Sequence, residues 1–327
     1  MKNMVRVFLL LCLVAALAAC QSMGGVYGAS KFHPRLNLQV GDVFTAHESV
    51  RVTITVPFGN MEGVEVKVQQ NTEMDTRIEV VKRLPHNTWR LNYTIERFRN
   101  EMSTMGMYQE FDSATDSGDS NPLSAMVGHT FVMTLDEESK IVDFTGLDEL
   151  FDKVIERLGP IDQMQRQVLM KKLKETMNEE SMKQNMLPNS GMYPEEPVAV
   201  GESWTKDYDL RAIVPMAGTG RYTLTKRENG HAFIDVLINF TENPNGQPLN
   251  FNGQNFEFEQ GTSAGSMILD ERNGMAVNSH TITDMSMSMD LPADMIPDQG
   301  ELNKLTMRIH MEHAFTMTDA KKTETVY

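Results

Sequence analysis

Cysteine is almost missing from this sequence of 327 residues, in which Cys12 and Cys20 are the two examples. Long apolar runs are missing too, because the run from Val7 to Leu17 is too short to span a bilayer comfortably. Basic residues are scarce, 30 against 45 acidic ones, for a formal charge of −15. These shortages argue against a disulfide scaffold, a membrane-spanning helix and nucleic-acid binding. Hydrophobic residues make up 40% of the chain, which suits a protein stabilised by ordinary burial.

The N terminus carries Lys2 and Arg6, then the apolar run, then Leu17-Ala18-Ala19-Cys20. This order resembles a bacterial lipoprotein signal peptide. The resemblance implies cleavage before Cys20, acylation of Cys20, and attachment to the membrane through that lipid. An ordinary secretory signal is the alternative. Gln21, where an inner-membrane retention signal would have Asp, favours the outer membrane with the protein facing the periplasm.

Changes in residue periodicity predict five segments. Residues 1–19 are the signal peptide, and residues 20–35, rich in Gly and Ser, are a flexible tether. Residues 36–146 form a first antiparallel β unit, 147–187 a helical insert, and 188–327 a second antiparallel β unit. The insert is predicted as two helices, from Leu147 to Gly159 and from Pro160 to about Met186.

Strict alternation of apolar and polar residues predicts most of the strands. Val50 to Val56 and Leu305 to Met317 are clear examples. The alternation from Val64 to Val80 is so long that we expect a bend or bulge around Gln69–Thr72. Asn229-Gly230 and Asn273-Gly274 each predict a hairpin with a type I′ turn.

The two β units resemble each other. Val40-Gly41-Asp42 recurs as Val200-Gly201-Glu202, and Leu135-Asp136-Glu137 recurs as Leu269-Asp270-Glu271. We therefore expect an α+β, mostly β fold, with two related curved antiparallel sheets that arose by internal duplication and a helical insert between them.

Methionine is abundant, with 26 residues, and it forms adaptable apolar surfaces. Seven apolar side chains alternate on two predicted strands and are candidates for a hydrophobic ligand groove: Met285, Met287, Met289, Met307, Ile309, Met311 and Phe315. Ordinary core packing explains the same pattern.

Two patterns suggest metal sites. Met307 and Met311 with His310 and His313 could bind Cu(I), but His310 of an extended strand points away from both methionines. The acidic loop Asp112 to Asn121 could bind Ca²⁺, although it lacks the EF-hand order. We expect neither a metal nor a cofactor.

Gly261-Thr262-Ser263-Ala264-Gly265 matches the G-x-S-x-G nucleophile elbow of hydrolases. That motif needs a helix after the serine, and a predicted strand follows here. We therefore expect a protein that is not an enzyme, with an esterase-like hydrolase as the weak alternative.

Several motifs together resemble an uncharacterised family of bacterial β-rich lipoproteins over about residues 36–290. They are Val40-Gly41-Asp42, Phe111-Asp112-Ser113, Gly128-His129-Thr130-Phe131 and Tyr193-Pro194 through Trp204. The resemblance assigns no functional residue. More distantly, the expected fold is similar to periplasmic half-barrel carriers of lipids and lipoproteins.

The sequence thus favours a lipid-anchored envelope protein that binds a hydrophobic ligand or an envelope component without catalysis. A structural or assembly lipoprotein of an envelope complex is the alternative.

Overall fold

One antiparallel sheet forms the body of the protein in the computed structural model, which describes residues 31–57, 65–115, 122–176, 179, 182, 191–209, 216–243, 249–251, 254–290 and 304–320. Its strands in that part of the chain are β1 Val43–Pro57, β2 Glu65–Leu84, β3 Thr88–Thr104, β4 Met107–Asp112, β5 Thr130–Leu135, β6 Ile141–Thr145, β7 Ser203–Asp209, β8 Met216–Glu228, β9 His231–Glu242, β10 Leu249–Phe251, β11 Gln254–Asp270, β12 Ala276–Asp290 and β13 Lys304–Asp319. They lie in the order β6-β5-β3-β2-β1-β13-β12-β11-β9-β8-β7, with β4 beside β3 and β10 beside β11.

The expectation of two separate sheets is wrong, because β1 and β13 join the halves. β13 pairs with β1 from Phe44–Asp319 to Thr55–Arg308, and its other edge pairs with β12. Two separate sheets would leave these long strand edges with unpaired backbone groups. The main hydrophobic core is also shared, since Phe44 and Tyr93 belong to the same buried cluster as Leu224 and Leu269.

Two α-helices lie between β6 and β7 in the described sequence, α1 Leu147–Arg157 and α2 Gln163–Thr176, and a short 3₁₀ helix spans Pro122–Met126. The helix predicted from Leu147 to Gly159 is confirmed, and Gly159 follows its end with a φ of 83°. Its residues Leu147, Leu150 and Phe151 are buried in the main core, and Ile155 is buried as well. The helices therefore pack on the core of one sheet and do not lie between two sheets.

The second helix differs from its prediction. It begins at Gln163, where Asp162 Oδ1 accepts a hydrogen bond of 2.8 Å from the Gln165 amide. Met164 and Val168 lie on the apolar side of the predicted helix, yet their side chains are 76% and 53% exposed. Residues 183–186 of the predicted helix lie outside the described residues. None of the described helices has the length and apolar character that crossing a bilayer requires.

Strand β2 pairs with β1 and β3 through Gln69–Thr72 without a shift in register, so the prediction of a bulge there is wrong. The irregularities of its pairing with β3 come later, at Asp75/Thr76 and Val80/Lys82. A long strand is possible because β2 continues past the main core between β1 and β3, which supply hydrogen-bond partners along its length.

The folded body begins before residue 36, which corrects the predicted end of the tether. Phe32 is 3% exposed and exchanges backbone hydrogen bonds of 2.6 and 2.8 Å with Val198. Of the tether, residues 20–30 lie outside the described part, as do the signal peptide and Cys20.

Both predicted Asn-Gly hairpins are present. Asn229 and Gly230 have φ values of 53° and 76° between β8 and β9, as a type I′ turn requires. Between β11 and β12, Gly274 alone of the Asn273-Gly274 pair has a positive φ, of 78°, and its amide donates to the Asp270 carbonyl at 2.8 Å. That connection is therefore a longer loop and not a type I′ turn.

Candidate functional site

The two faces of the sheet differ in chemistry. Directly opposed residues of antiparallel strands share a face, so the register assigns each side chain to one side. We call the side that carries Phe44, Tyr93 and Phe315 the core face and the other side the outer face. The main core covers only one end of the long central strands, because buried residues of β1, for example, stop at Ala46 while the strand continues to Pro57.

Beyond the main core, the core face continues as a second apolar area. We call it the far-end strip, and it consists of Val52, Ile54, Met285, Met287, Met289, Met307, Ile309 and Met311. Ile309 lies between Ile54 of β1 and Met285 of β12, and Met307 lies opposite Met287. Met287 is 2% exposed and the other members are half-buried. The strip is thus apolar but incompletely covered by the described residues.

The far-end strip contains six of the seven residues predicted to line a ligand groove. Phe315, the seventh, lies on the same face but in the main core, where it is 6% exposed. Alternation along β13 identifies the face correctly, but it does not reveal where along the strand the main core ends.

Aromatic residues extend the strip toward β8, and sequence analysis did not select them. Met216, Phe258 and Met287 form a second buried cluster, separate from the main core, with Phe240 and Phe256 packed against it. Gly261 belongs to the same region, where a Cβ atom would lie 3.0 Å from Met285 Cβ. The signal in the sequence is the apolar alternation Phe256–Phe258, which meets the methionines of β12 in register.

Polar side chains separate the far-end strip from the main core. His313 Nε2 and Glu48 Oε1 lie 2.8 Å apart on the core face, and Thr283 Oγ1 donates to Ser263 Oγ at 2.9 Å on the neighbouring strands. Glu48 also faces Tyr93: burial raises the pKa of Tyr93, and the Glu48 carboxylate raises it further. Sequence analysis missed Glu48 and considered His313 only as a Cu(I) ligand, although each residue interrupts the apolar alternation of its strand.

The outer face opposite the strip is polar. A hollow of about 530 Å³ there is lined by side chains such as Thr53, Thr262 and His310. Its charged groups are paired, since His310 Nδ1 lies 2.7 Å from Asp284 Oδ1 and Arg308 forms an ion pair with Glu65.

The structure places Ser263 of the G-x-S-x-G match inside β11, which continues to Asp270, and not in a strand–turn–helix. Ser263 is 5% exposed, and its hydroxyl accepts the hydrogen bond from Thr283. Close packing explains why residue 265 is a glycine, because a Cβ atom there would lie 2.7 Å from Thr281 Cα.

The residues considered for metal binding do not converge. His310 lies on the outer face, opposite to Met307, Met311 and His313. The Asp112 carboxylate of the acidic loop accepts two hydrogen bonds from Arg97, at 3.2 and 2.7 Å, and these bonds lower its pKa. Asp116 and Asp119 lie outside the described residues. Within the described part, no three His, Cys, Asp or Glu side chains come together as a metal site requires.

Fold and site together define a mostly β protein built on one large antiparallel sheet, with an apolar strip beyond its core. The chain belongs to a family of unknown function, DUF6263, which matches residues 86–276, more than half of the chain. This agrees with the family resemblance seen in the sequence.

The solved structures to which this chain is similar share little sequence with it. Lipovitellin, from a structure of lipid–protein interactions, is 8% identical with a TM-score of 0.48, over 87% of this chain and 26% of the lipovitellin chain. This chain thus spans about a quarter of lipovitellin. An outer membrane channel from Pseudomonas putida F1 is 8% identical with a TM-score of 0.22, over 86% of this chain and 97% of the channel. A comparison with curated protein sequences gives no significant match.

Proposed function

We propose that this protein is a lipid-anchored, non-enzymatic binding module of the bacterial envelope, and that the far-end strip binds a hydrophobic ligand. The half-buried apolar side chains of the strip carry the proposal. Leaving apolar surface in water costs about 25 cal/mol per Å², and contiguous apolar areas usually mark binding sites. A ligand that covers the strip would recover this free energy.

The proposed location rests on the N-terminal sequence. Cys20 follows a lipoprotein-like signal, and we propose that its acyl chains attach the protein to the outer membrane on the periplasmic side. Phe32 is already part of the folded body, so only the short segment 21–31 would separate that body from the lipid. The ligand-binding surface would therefore work within reach of a membrane.

Binding of a fluorescent alkyl probe tests the proposal. The mature chain, residues 20–327 with Cys20→Ser, retains every described residue and avoids bound lipid. We expect saturable binding, and at least a tenfold weaker affinity in Ile309→Glu, because a carboxylate would lie in the middle of the strip.

Thr306→Glu is the matched control, because Thr306 is exposed on the outer face of the same strand. It should bind the probe as the parent does, and circular dichroism should show that both variants fold. A folded parent protein that takes up no probe would rule out the proposed function.

A second candidate function is assembly with another envelope protein, and the tip of the β3–β4 hairpin favours it. Met105, Met107 and Tyr108 at this tip are 70%, 63% and 61% exposed. An interaction through the tip predicts a crosslinked complex in cells that is lost in Met107→Ser/Tyr108→Ser and kept in Ile309→Glu. A complex that is kept in Met107→Ser/Tyr108→Ser and lost in Ile309→Glu would favour the ligand-binding function.

We also propose that the two halves of the sheet arose by duplication. The Gly41 amide donates to Val80 at 2.8 Å and the Gly201 amide to Leu224 at 2.7 Å, at corresponding positions of the two motifs. The strand pairing also shifts at the corresponding places, Val80/Lys82 and Leu224/Lys226.

The carboxyl group of each motif closes its turn in the same way. Asp42 Oδ2 accepts from the Gln39 amide at 2.7 Å, and Glu202 Oε2 accepts from the Ala199 amide at 2.8 Å. If the turns share an origin, exchanging residues 39–42 with residues 199–202 should leave a folded protein with a Tm within a few degrees of the parent. Loss of folding would count against the duplication.

A further inference from the structure

Glu48 and His313 are chemically out of place on the core face. Along β2, β1, β13 and β12, the core-face positions from Val66 to Val80, Phe44 to Val56, Leu305 to Met317 and Ser279 to Met289 hold no other ionisable side chain. Ligand sites that are mostly apolar typically contain a few such polar groups, which fix the orientation of the ligand.

This pair is also more buried than similar pairs elsewhere. The described residues contain four His–carboxylate pairs, and the side chains of His313 and Glu48 are 20% and 26% exposed. The three pairs on the outer face have side-chain exposures between 37% and 67%. Burial makes an ion pair costly, because both groups lose contact with water. A protein with apolar residues at the same two positions would often be as stable as the protein with the pair, or more stable. Stability alone therefore gives little reason for the pair.

The pair lies between the main core and the far-end strip. Glu48 lies opposite Phe315 and Met74, whereas His313 lies opposite Val50. Beyond the opposed pair Val50–His313, the next core-face residues are Val52 of β1 and Met311 of β13, the first members of the strip. A molecule lying along the strip would thus meet the pair at the end nearest the main core.

The length of the strip suits one alkyl chain. On β13 the strip runs from Met307 to Met311, a rise of four residues, which at about 3.3 Å per residue is about 13 Å. A chain in one leaflet spans about 15 Å, half of the hydrocarbon thickness of a bilayer.

The chemistry of the pair limits the polar head of such a molecule. A carboxylate accepts more hydrogen bonds than the single one that joins Glu48 to His313, so Glu48 can also accept from a ligand. An ammonium or hydroxyl group would supply that hydrogen bond. A carboxylate head would place a second negative charge beside Glu48, which is unfavourable in a partly buried site.

We propose that Glu48 and His313 form a head-group subsite of the far-end strip, which selects alkyl amphiphiles with a hydrogen-bond-donating or cationic head over free fatty acids. This inference rests on the proposed function. The head lies at Glu48, and the alkyl chain runs along Met311, Ile309 and Met307 toward the end of β13.

Competition with the fluorescent probe tests the preference, using dodecylamine, dodecanol and dodecanoic acid at pH 7 and below their micelle concentrations. With the mature Cys20→Ser chain, we expect the amine and the alcohol to displace the probe at concentrations at least tenfold lower than the acid. In Glu48→Gln, which keeps the shape and loses the charge, the amine should bind about tenfold more weakly and the acid about tenfold more tightly.

Glu312→Gln is the matched control, because it changes a carboxylate that pairs with His280 on the outer face. It should keep the parent's ranking of the three heads. His313→Gln leaves the charge of Glu48 in place and should keep or widen the preference for the amine, which provides a second test if Glu48→Gln does not fold.

The outcomes separate this inference from the proposed function. Probe binding with equal displacement by all three heads, or an unchanged ranking in Glu48→Gln, would overturn the head-group subsite and leave the proposed function intact. A parent protein that binds no probe would overturn both.

Discussion

At Gly265 the backbone of β11 approaches that of β12 so closely that a methyl group has no room. A Cβ atom there would collide with the His280 carbonyl oxygen and lie 2.7 Å from Thr281 Cα, and both are backbone atoms that cannot rotate away. We expect Gly265→Ala to lower the free energy of unfolding by about 1–3 kcal/mol, as overpacking does, measured by urea denaturation.

Ser266→Ala on the same strand is the control for Gly265→Ala, because Ser266 is exposed and its change should have little effect. Equal stability of Gly265→Ala and the parent would mean that β11 and β12 can separate at this point. The close approach of the two strands accounts for the glycine at position 265 of the G-x-S-x-G match, so a nucleophilic serine is not needed to explain it.

We expect Asp270 to make the free energy of unfolding depend on pH. Burial raises the pKa of Asp270, but hydrogen bonds from the Arg272 guanidinium and amide outweigh this effect, and the pKa is held below its ordinary value. A carboxyl group whose pKa is lower in the folded state contributes stability above its unfolded pKa of about 3.9, and this stability is lost as the pH falls through the folded pKa.

Urea midpoints measured from pH 7 to pH 3 would test the role of Asp270. We expect Asp270→Asn to be less stable than the parent at pH 7, and the difference to shrink as the pH falls toward 3. The exposed Asp207 gives a control, Asp207→Asn, that should follow the parent. A difference that is constant with pH would exclude the charge of Asp270 as the cause.

Among the structural elements, helix α1 is stabilised by the residues that it buries. Leu150 is 2% exposed and lies in the main core with Phe131 and Phe144. Leu150→Ala should lower the free energy of unfolding by about 2–5 kcal/mol, because it leaves a cavity in the core. Glu156→Ala on the exposed side of α1 should change it little, and a similarly small effect of Leu150→Ala would mean that α1 is dispensable for the core.

The sequence predicts these elements well where one face of each is buried along its length, as in α1 and the hairpin at Asn229-Gly230. It does not predict the joining of β1 to β13. Alternation shows which face of a strand is buried, but it does not show which strand will pair with a free strand edge. Alternation also groups Phe315 with the far-end strip. Every second residue of a strand lies on the same face, whether or not the main core covers it.

The head-group subsite lies beyond sequence prediction for a related reason. Glu48 and His313 are 265 residues apart in the chain, and they meet only because β1 and β13 are neighbours in the sheet. Each residue alone reads as one polar interruption of an apolar alternation. Only the pairing register of β1 with β13, the first and the last described strands, shows that Glu48 and His313 are neighbours.

At the scale of the whole molecule, the shared core means that the two halves should unfold together. The two tryptophans are suited to test this, because Trp89 lies in β3 of the first half and Trp204 in β7 of the second. Trp89 Nε1 donates to the Leu38 carbonyl at 2.9 Å, and Trp204 Nε1 donates to the Met192 carbonyl at 2.7 Å, so each reports on local packing in its own half.

In Trp204→Phe the fluorescence reports on the first half alone, and in Trp89→Phe on the second half alone. We expect the fluorescence transition in urea to coincide with that of far-ultraviolet circular dichroism in each variant, because residues of both halves, such as Tyr93 and Leu224, pack in one buried cluster. Each variant loses one hydrogen bond and some packing, so its midpoint can shift from that of the parent, but the two signals within a variant should still agree. Fluorescence that changes at a different urea concentration from circular dichroism would mean that β1 and β13 join two units that unfold independently.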